Sequence, residues 1–161
     1  MAITLGTAGI AVTSIGIDTC IKTVTMSAQG IYGIITTLTS PSTTPSISYV
    51  IKELDLATEV SVLETLLSEI DLEKHHTETL TKCVKSLEEC VLQIEANLKT
   101  VQERSDYNNS LWIFTSMRSY GFDDLVSALR LLKSNLSSRK KTLFNVIKIN
   151  TYLVPKPAQQ E

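Results

Sequence analysis

Seven apolar residues, Leu80, Val84, Leu87, Val91, Ile94, Leu98 and Val101, follow one another at alternating spacings of four and three. With about 3.6 residues per helical turn, that rhythm lines them up as one stripe of a long helix; a half-buried strand alternates every second residue instead. The rhythm recurs in Leu56, Val60, Leu63, Leu67 and Ile70, and again in Leu125, Leu129, Leu132, Leu136, Leu143 and Val146. In the last series the missing step is Arg139. Its long stem is expected to lie along the seam with the charged head in water. A fourth stripe, Ile10, Ile17, Ile21, Val24, Ala28, Ile31, Ile35 and Leu38, has Ser14 in its one gap. Asp18 and Lys22 sit one turn apart on that segment, acid first, the favourable order.

The interruptions fall where helices should end. Ser40-Pro41-Ser42-Thr43-Thr44-Pro45-Ser46 combines turn formers with two prolines and separates the first two stripes. The second break spans Asp71 to His76, with Thr77 as the expected N-cap of the next helix. Ser105 to Ser110 is expected to end that helix, and Leu111-Trp112-Ile113-Phe114 to form a short apolar plug. Tyr120-Gly121-Phe122-Asp123 reads as a turn with Asp123 as the cap of the last helix. The expectation is an all-α, up-and-down bundle of four long helices with the plug segment, in one domain over residues 1–153, and a flexible tail over 154–161. The competing signal is the strand propensity of the Thr-rich residues 3–15.

Charge is laid out unevenly over the 161 residues, although the formal net charge is only −2. Residues 1–49 carry only Asp18 and Lys22; residues 50–106 hold 13 acids against 6 bases, and residues 107–161 hold 3 acids against 8 bases. The acidic middle helices are therefore expected to lie against the basic last one. A balance so near zero argues against a general nucleic-acid binder. The uncharged opening lacks the basic start of a secretory signal, and its apolar residues are too interspersed with Thr, Ser and Gly for a clear transmembrane span, so it reads as a marginal membrane segment at most. Three cysteines, Cys20, Cys83 and Cys90, with no CxxC pair, point to a reducing compartment rather than a disulfide framework. The sequons at Asn108 and Asn135 are patterns short enough to arise by chance.

Catalytic signals are weak, and neither an enzyme nor a cofactor is expected. His75-His76 is the sole histidine site, and no Ser or Cys nucleophile is linked to it by a motif. His76, Cys83 and Cys90 recur every seven residues, but two helical turns, about 10 Å, separate successive members, too far to converge on one metal ion. They read as a surface histidine pair and two cysteines flanking the core. Gly6, Gly9 and Gly16 lack both the GxGxxG spacing and a preceding strand.

Two features ask for a partner. Thr13, Thr23, Ser27, Gly30, Thr36 and Thr37 are expected on the outer face of the first helix, where small uncharged side chains permit close approach of another helix or of lipid. Arg130, Lys133, Arg139, Lys140, Lys141 and Lys148 offer a site for anionic lipid headgroups, at about 1 kcal/mol per residue near the surface. The plain alternative for this basic set is pairing with the acidic helices.

The stretch Leu5-Gly6-Thr7-Ala8-Gly9-Ile10-Ala11-Val12-Thr13-Ser14-Ile15-Gly16-Ile17-Asp18-Thr19-Cys20 resembles the opening helix of the fungal HeLo-like domains. The leucine-rich second helix, the Cys83 and Cys90 helix, the Trp112-Ile113-Phe114 plug and the segment from Leu129 to Leu143 are similar in layout, so the resemblance covers roughly residues 5–150. It implies a membrane-targeting bundle, similar to the executioner four-helix domain of animal necroptosis, that acts in programmed cell death, innate immunity and fungal incompatibility. On activation by a partner receptor or downstream regulatory domain, such a protein self-associates and moves from the cytoplasm to the plasma membrane. There the N-terminal helix, here Leu5, Gly6, Gly9, Ile10, Ile15, Gly16 and Ile17, engages anionic lipids and forms a pore. The charges Asp18 and Lys22 and the proline-rich first linker depart from the family pattern. The alternative reading is a non-enzymatic scaffold, adaptor or virion component whose uncharged first helix contacts a protein.

Overall fold

The computed structural model describes residues 7–71, 77–111 and 120–153, with side chains from Gly16 to Asp71, Thr77 to Leu111 and Tyr120 to Tyr152. All regular structure among them is helical: α1 (Thr7–Leu38), α2 (Pro45–Leu54), α3 (Leu56–Ser68), α4 (Glu78–Ser110) and α5 (Asp123–Leu153). The all-α bundle expected from the sequence is thus the observed fold. Its second position is filled by two short helices where one long helix was expected. Asp55 divides them: at φ 47° it ends α2 in a left-handed turn, its N–H bonded to the Lys52 carbonyl, and its own carbonyl starts α3 by accepting from Glu59 N.

The Thr-rich start of α1 is helical from Thr7, against the strand propensity of its residues. Further along α1, the Thr23, Thr25, Thr36 and Thr37 hydroxyls each donate to the carbonyl four residues back. This bonding satisfies each hydroxyl within the helix while the stripe residues bury their side chains, so packing overrides local preference.

The core follows the four stripes. Ile17, Val24, Ala28, Ile31 and Leu38 of α1, Leu56, Val60, Leu63 and Leu67 of α3, all seven stripe residues of α4, and Leu125, Leu129, Leu132, Leu136 and Leu143 of α5 are buried. Full burial stabilises each such aliphatic side chain by about 1.5–3 kcal/mol, far more than a surface ion pair contributes. Ile34, Ile47, Ile51 and Leu54 extend the core beyond the stripes.

With α2 and α3 running the same way as one arm, helix directions alternate along the chain, yet neighbours in sequence are not always neighbours in space. α4 packs chiefly on α1 and α5, and α3 on α1 and α5, which leaves α3 and α4 at opposite corners. α1 and α4 run parallel, since Cys20 meets Glu88 and Ser27 meets Glu95. α5 runs antiparallel to α4, with Asp124 at Arg104 and Asn150 at Thr77. The diagonal order sets the basic α5 between the two acidic arms. Lys140 Nζ lies 2.5 Å from a Glu59 carboxylate oxygen and Arg130 lies 3.4 Å from Glu53.

Two expected boundaries shift. The polar run from Ser105 to Ser110 continues α4 instead of ending it, because its side chains are engaged by the chain that follows. Ser105 is buried, Asn108 bonds both the N–H and the carbonyl of Tyr120, and Arg104 grips Asp124 with two bonds of 2.7 and 3.0 Å. Asp123 lies in the first turn of α5 rather than capping it, since the Phe122 carbonyl already accepts from Val126 N. Thr77 caps α4 as expected, its hydroxyl accepting from Leu80 N at 3.2 Å.

Candidate functional site

The sequence singles out the N-terminal part of α1 and the cations of α5, and the fold brings that part of α1 and the last of those cations to one end of the bundle. The start of α1, the start of α4 and the end of α5 meet there, as the Cys20–Glu88 and Thr77–Asn150 contacts fix.

α1 is attached to its neighbours in an unusual way. Having almost no charge of its own, it presents neutral donors to carboxylates of the flanking helices. The Tyr32 hydroxyl donates to Glu64 of α3 at 2.6 Å, and the Cys20 thiol and Ser27 hydroxyl face the Glu88 and Glu95 carboxylates of α4. Burial and the adjoining carboxylate raise the Tyr32 pKa to about 12 and the Cys20 pKa to about 11, so both stay protonated donors. Desolvation pushes the Glu95 carboxyl up, but hydrogen bonds from Lys99 and Ser27 outweigh it and hold its pKa below the usual value.

This arrangement corrects the expected outer face of α1. Ser27 is buried, and Gly30 faces α4 with the Glu95 carboxylate directly over its Cα hydrogens; a Cβ at Gly30 would stand 2.6 Å from Glu95 Oε1. The small residues at these two positions therefore admit a carboxylate of the same chain. Thr36 and Thr37 do face solvent, and Thr23 is half-buried. The side chain of Thr13 lies outside the described residues.

Of the candidate membrane-engaging residues, Leu5 and Gly6 lie outside the described residues, while Gly9, Ile10 and Ile15 belong to α1 without described side chains. Gly16 is half-exposed with open space where a Cβ would stand, whereas Ile17 is fully buried and belongs to the core in this state. No described helix is long and apolar enough to cross a membrane.

The six candidate headgroup cations divide into two groups. Arg130 pairs with Glu53, Arg139 donates to the Ser86 carbonyl from a half-buried position, and Lys140 pairs with Glu59. Lys133 adds its field to Glu59, where hydrogen bonds from Lys140 and Ser137 overcome desolvation and lower the carboxyl pKa. Lys141 and Lys148 are exposed. The pairing reading therefore holds for Arg130 and Lys140, and the side chains available to a ligand are concentrated in the C-terminal half of α5.

Of the chemistry candidates, Cys83 is half-buried, and Cys90 is buried with its thiol directed to the Leu132 carbonyl at 3.6 Å. His75, His76 and the Trp112-Ile113-Phe114 plug lie outside the described residues. No group of His, Cys and carboxylate side chains among the described residues is placed to hold a metal ion. An apolar cavity of about 230 Å³ lies at the other end of the bundle, between Ile47, Val50 and Ile51 of α2, Val101 of α4, Phe122, and Val126 and Leu129 of α5.

Fold and site together define an all-α bundle with a nearly charge-free, carboxylate-clipped first helix and a basic last one. Compared with protein-family models, with curated proteins and with solved structures, the chain has no match.

Proposed function

We propose that this protein is a membrane-targeting effector of regulated cell death, similar in design to the HeLo-like domains, whose N-terminal helix engages anionic lipid after self-association. One observation carries the reading: the N-terminal part of the nearly charge-free α1 and the exposed lysines of α5 share one end of the bundle. Neutral clips make α1 a suitable element for release. Breaking an ion pair on leaving the bundle would strand a desolvated charge, whereas Tyr32, Cys20 and Ser27 are neutral and their carboxylate partners regain water. Membrane binding through α5 brings α1 to the lipid surface, and self-association supplies the copies from which a pore is built.

The test uses vesicles of phosphatidylserine and phosphatidylcholine loaded with a quenched dye. The full chain should release dye, and a truncation lacking residues 1–12 should not. That truncation keeps the core residue Ile17 and the clips at Cys20, Ser27 and Tyr32. Release of α1 should also make Cys20 reactive toward maleimide only when vesicles are present. Equal leakage by the truncated chain would refute the role of the N-terminal helix.

A further inference from the structure

Of the four large apolar side chains exposed on α5, Phe144 and Tyr152 are grouped with its uncommitted lysines, while Leu131 and Ile149 lie on another face. Beyond Asp124 the helix carries six cations and no acid as far as Leu153. Half of those cations are tied to Glu53, Ser86 and Glu59. In the last four turns, Phe144 is 56% exposed and Tyr152 is 78% exposed, and Lys141 and Lys148 are exposed as well. Positions 141, 144, 148 and 152 are separated by three, four and four residues, so they form one ridge along the helix.

The seam with α3 locates that ridge. α3 and α5 run parallel, with Glu59 at Ser137 and Lys140. Phe144 follows Lys140 by four residues on α5 and so lies one turn further along the same side of that helix. The ridge thus continues the α3–α5 edge toward the end of the bundle where α1 begins. Aromatic rings and lysines alternate along it, and α5 carries no carboxylate beyond Asp124.

We infer that this ridge, Phe144 and Tyr152 with Lys141 and Lys148, is the surface by which the folded bundle docks on an anionic bilayer before α1 is released. The Phe144 ring seats among the acyl chains, the Tyr152 ring does so with its hydroxyl at the headgroups, and the flanking lysines meet anionic phosphates. Charge complementarity selects this occupant: an anionic surface answers two lysines that have no ion pair among the described residues, whereas a second copy of the ridge would set like charges face to face. The inference rests on the membrane reading above and adds to it a docking step separate from insertion.

Co-sedimentation of the full chain with phosphatidylserine-containing vesicles, set beside neutral phosphatidylcholine vesicles, separates the two steps. Each lysine near an anionic surface contributes roughly fivefold to binding, so the K141Q/K148Q double variant should bind about 30-fold more weakly. A F144S/Y152S variant should lose binding at least about tenfold, through the lost apolar contact. Both pairs are exposed, so circular dichroism and the urea midpoint should stay at wild-type values. The residue 1–12 truncation should still sediment with vesicles while losing leakage. Wild-type affinity in both double variants would overturn the docking ridge and leave the membrane reading standing. Failure of the wild-type chain to bind any vesicle would overturn both. Loss of a concentration-dependent oligomer in the F144S/Y152S variant, with vesicle binding unchanged, would assign the ridge to a second copy of the chain and refute the inference.

Discussion

Gly30 and Gly33 lie less than one turn apart in the same helix, and alanine should have opposite effects at the two positions. In a helix interior, glycine is less favourable than alanine by about 0.8–1 kcal/mol, mostly through the freedom it has in the unfolded chain. At Gly33 a Cβ meets nothing within 4 Å, so Gly33→Ala should realise that gain in full. At Gly30 a Cβ would stand 2.6 Å from Glu95 Oε1 and 3.2 Å from its Cδ, and the carboxylate must move. Glu95 is only 15% exposed and is held by Lys99 at 2.7 Å and by Ser27. Displacing it costs hydrogen bonds to a charged group, about 1.5–3 kcal/mol, against the same propensity gain. Gly30→Ala should therefore destabilise the protein by about 0.5–2 kcal/mol, some 1.5–3 kcal/mol below Gly33→Ala. Urea denaturation followed by circular dichroism at 222 nm measures both. The decisive arm places Gly30→Ala in a Glu95→Ala background, where no carboxylate remains to displace and the substitution should again stabilise. Equal stabilisation by Gly30→Ala and Gly33→Ala in the wild-type background would show that Glu95 is not seated over Gly30, and the account of the α1–α4 seam would fail.

Acid should weaken the bundle through the same carboxylates. Glu59 and Glu95 have folded-state pKa values below the usual 4.5, so their stabilisation is complete above that value and is lost as pH falls through the lower folded-state values. Urea midpoints between pH 6 and 2.5 should fall less steeply in a Glu59→Gln/Glu95→Gln variant than in the wild type, and parallel curves would contradict this. Asp55→Gly should raise stability by about 0.5 kcal/mol and Asp55→Val lower it by more than about 1 kcal/mol, since Asp55 sits at φ 47° without a side-chain capping bond to lose. Equal urea midpoints for the glycine and valine variants would remove the left-handed turn as the reason α2 and α3 are separate.

Much of the fold was legible because burial repeats with the helical period. Leu80 to Val101 needed nothing but spacing to be placed on one buried face, and the Thr77 cap followed from residue type. The break at Asp55 left no comparable mark: aspartate is common in helices and turns alike, and only the docking of Ile47, Ile51 and Leu54 into the core fixes the angle that demands it. Ser105 to Ser110 was misleading for the opposite reason, since its polar side chains favour a loop until Tyr120 returns to bond Asn108 and Gly121 and Asp124 hold the preceding Arg104.

The charge layout likewise predicted that α5 would face acidic helices, but which cations would be consumed depended on depth and register that composition does not record. What the sequence alone determined is therefore the helical class, the stripes and the near absence of charge from the first helix, all properties of local spacing and residue type. What the tertiary structure decided is the diagonal order of the helices, the carboxylates over Tyr32, Cys20, Ser27 and Gly30, and the separation of Lys141 and Lys148 from their paired neighbours. These depend on which side chains from distant parts of the chain come within a few ångströms of one another, and only packing the apolar faces together sets those distances.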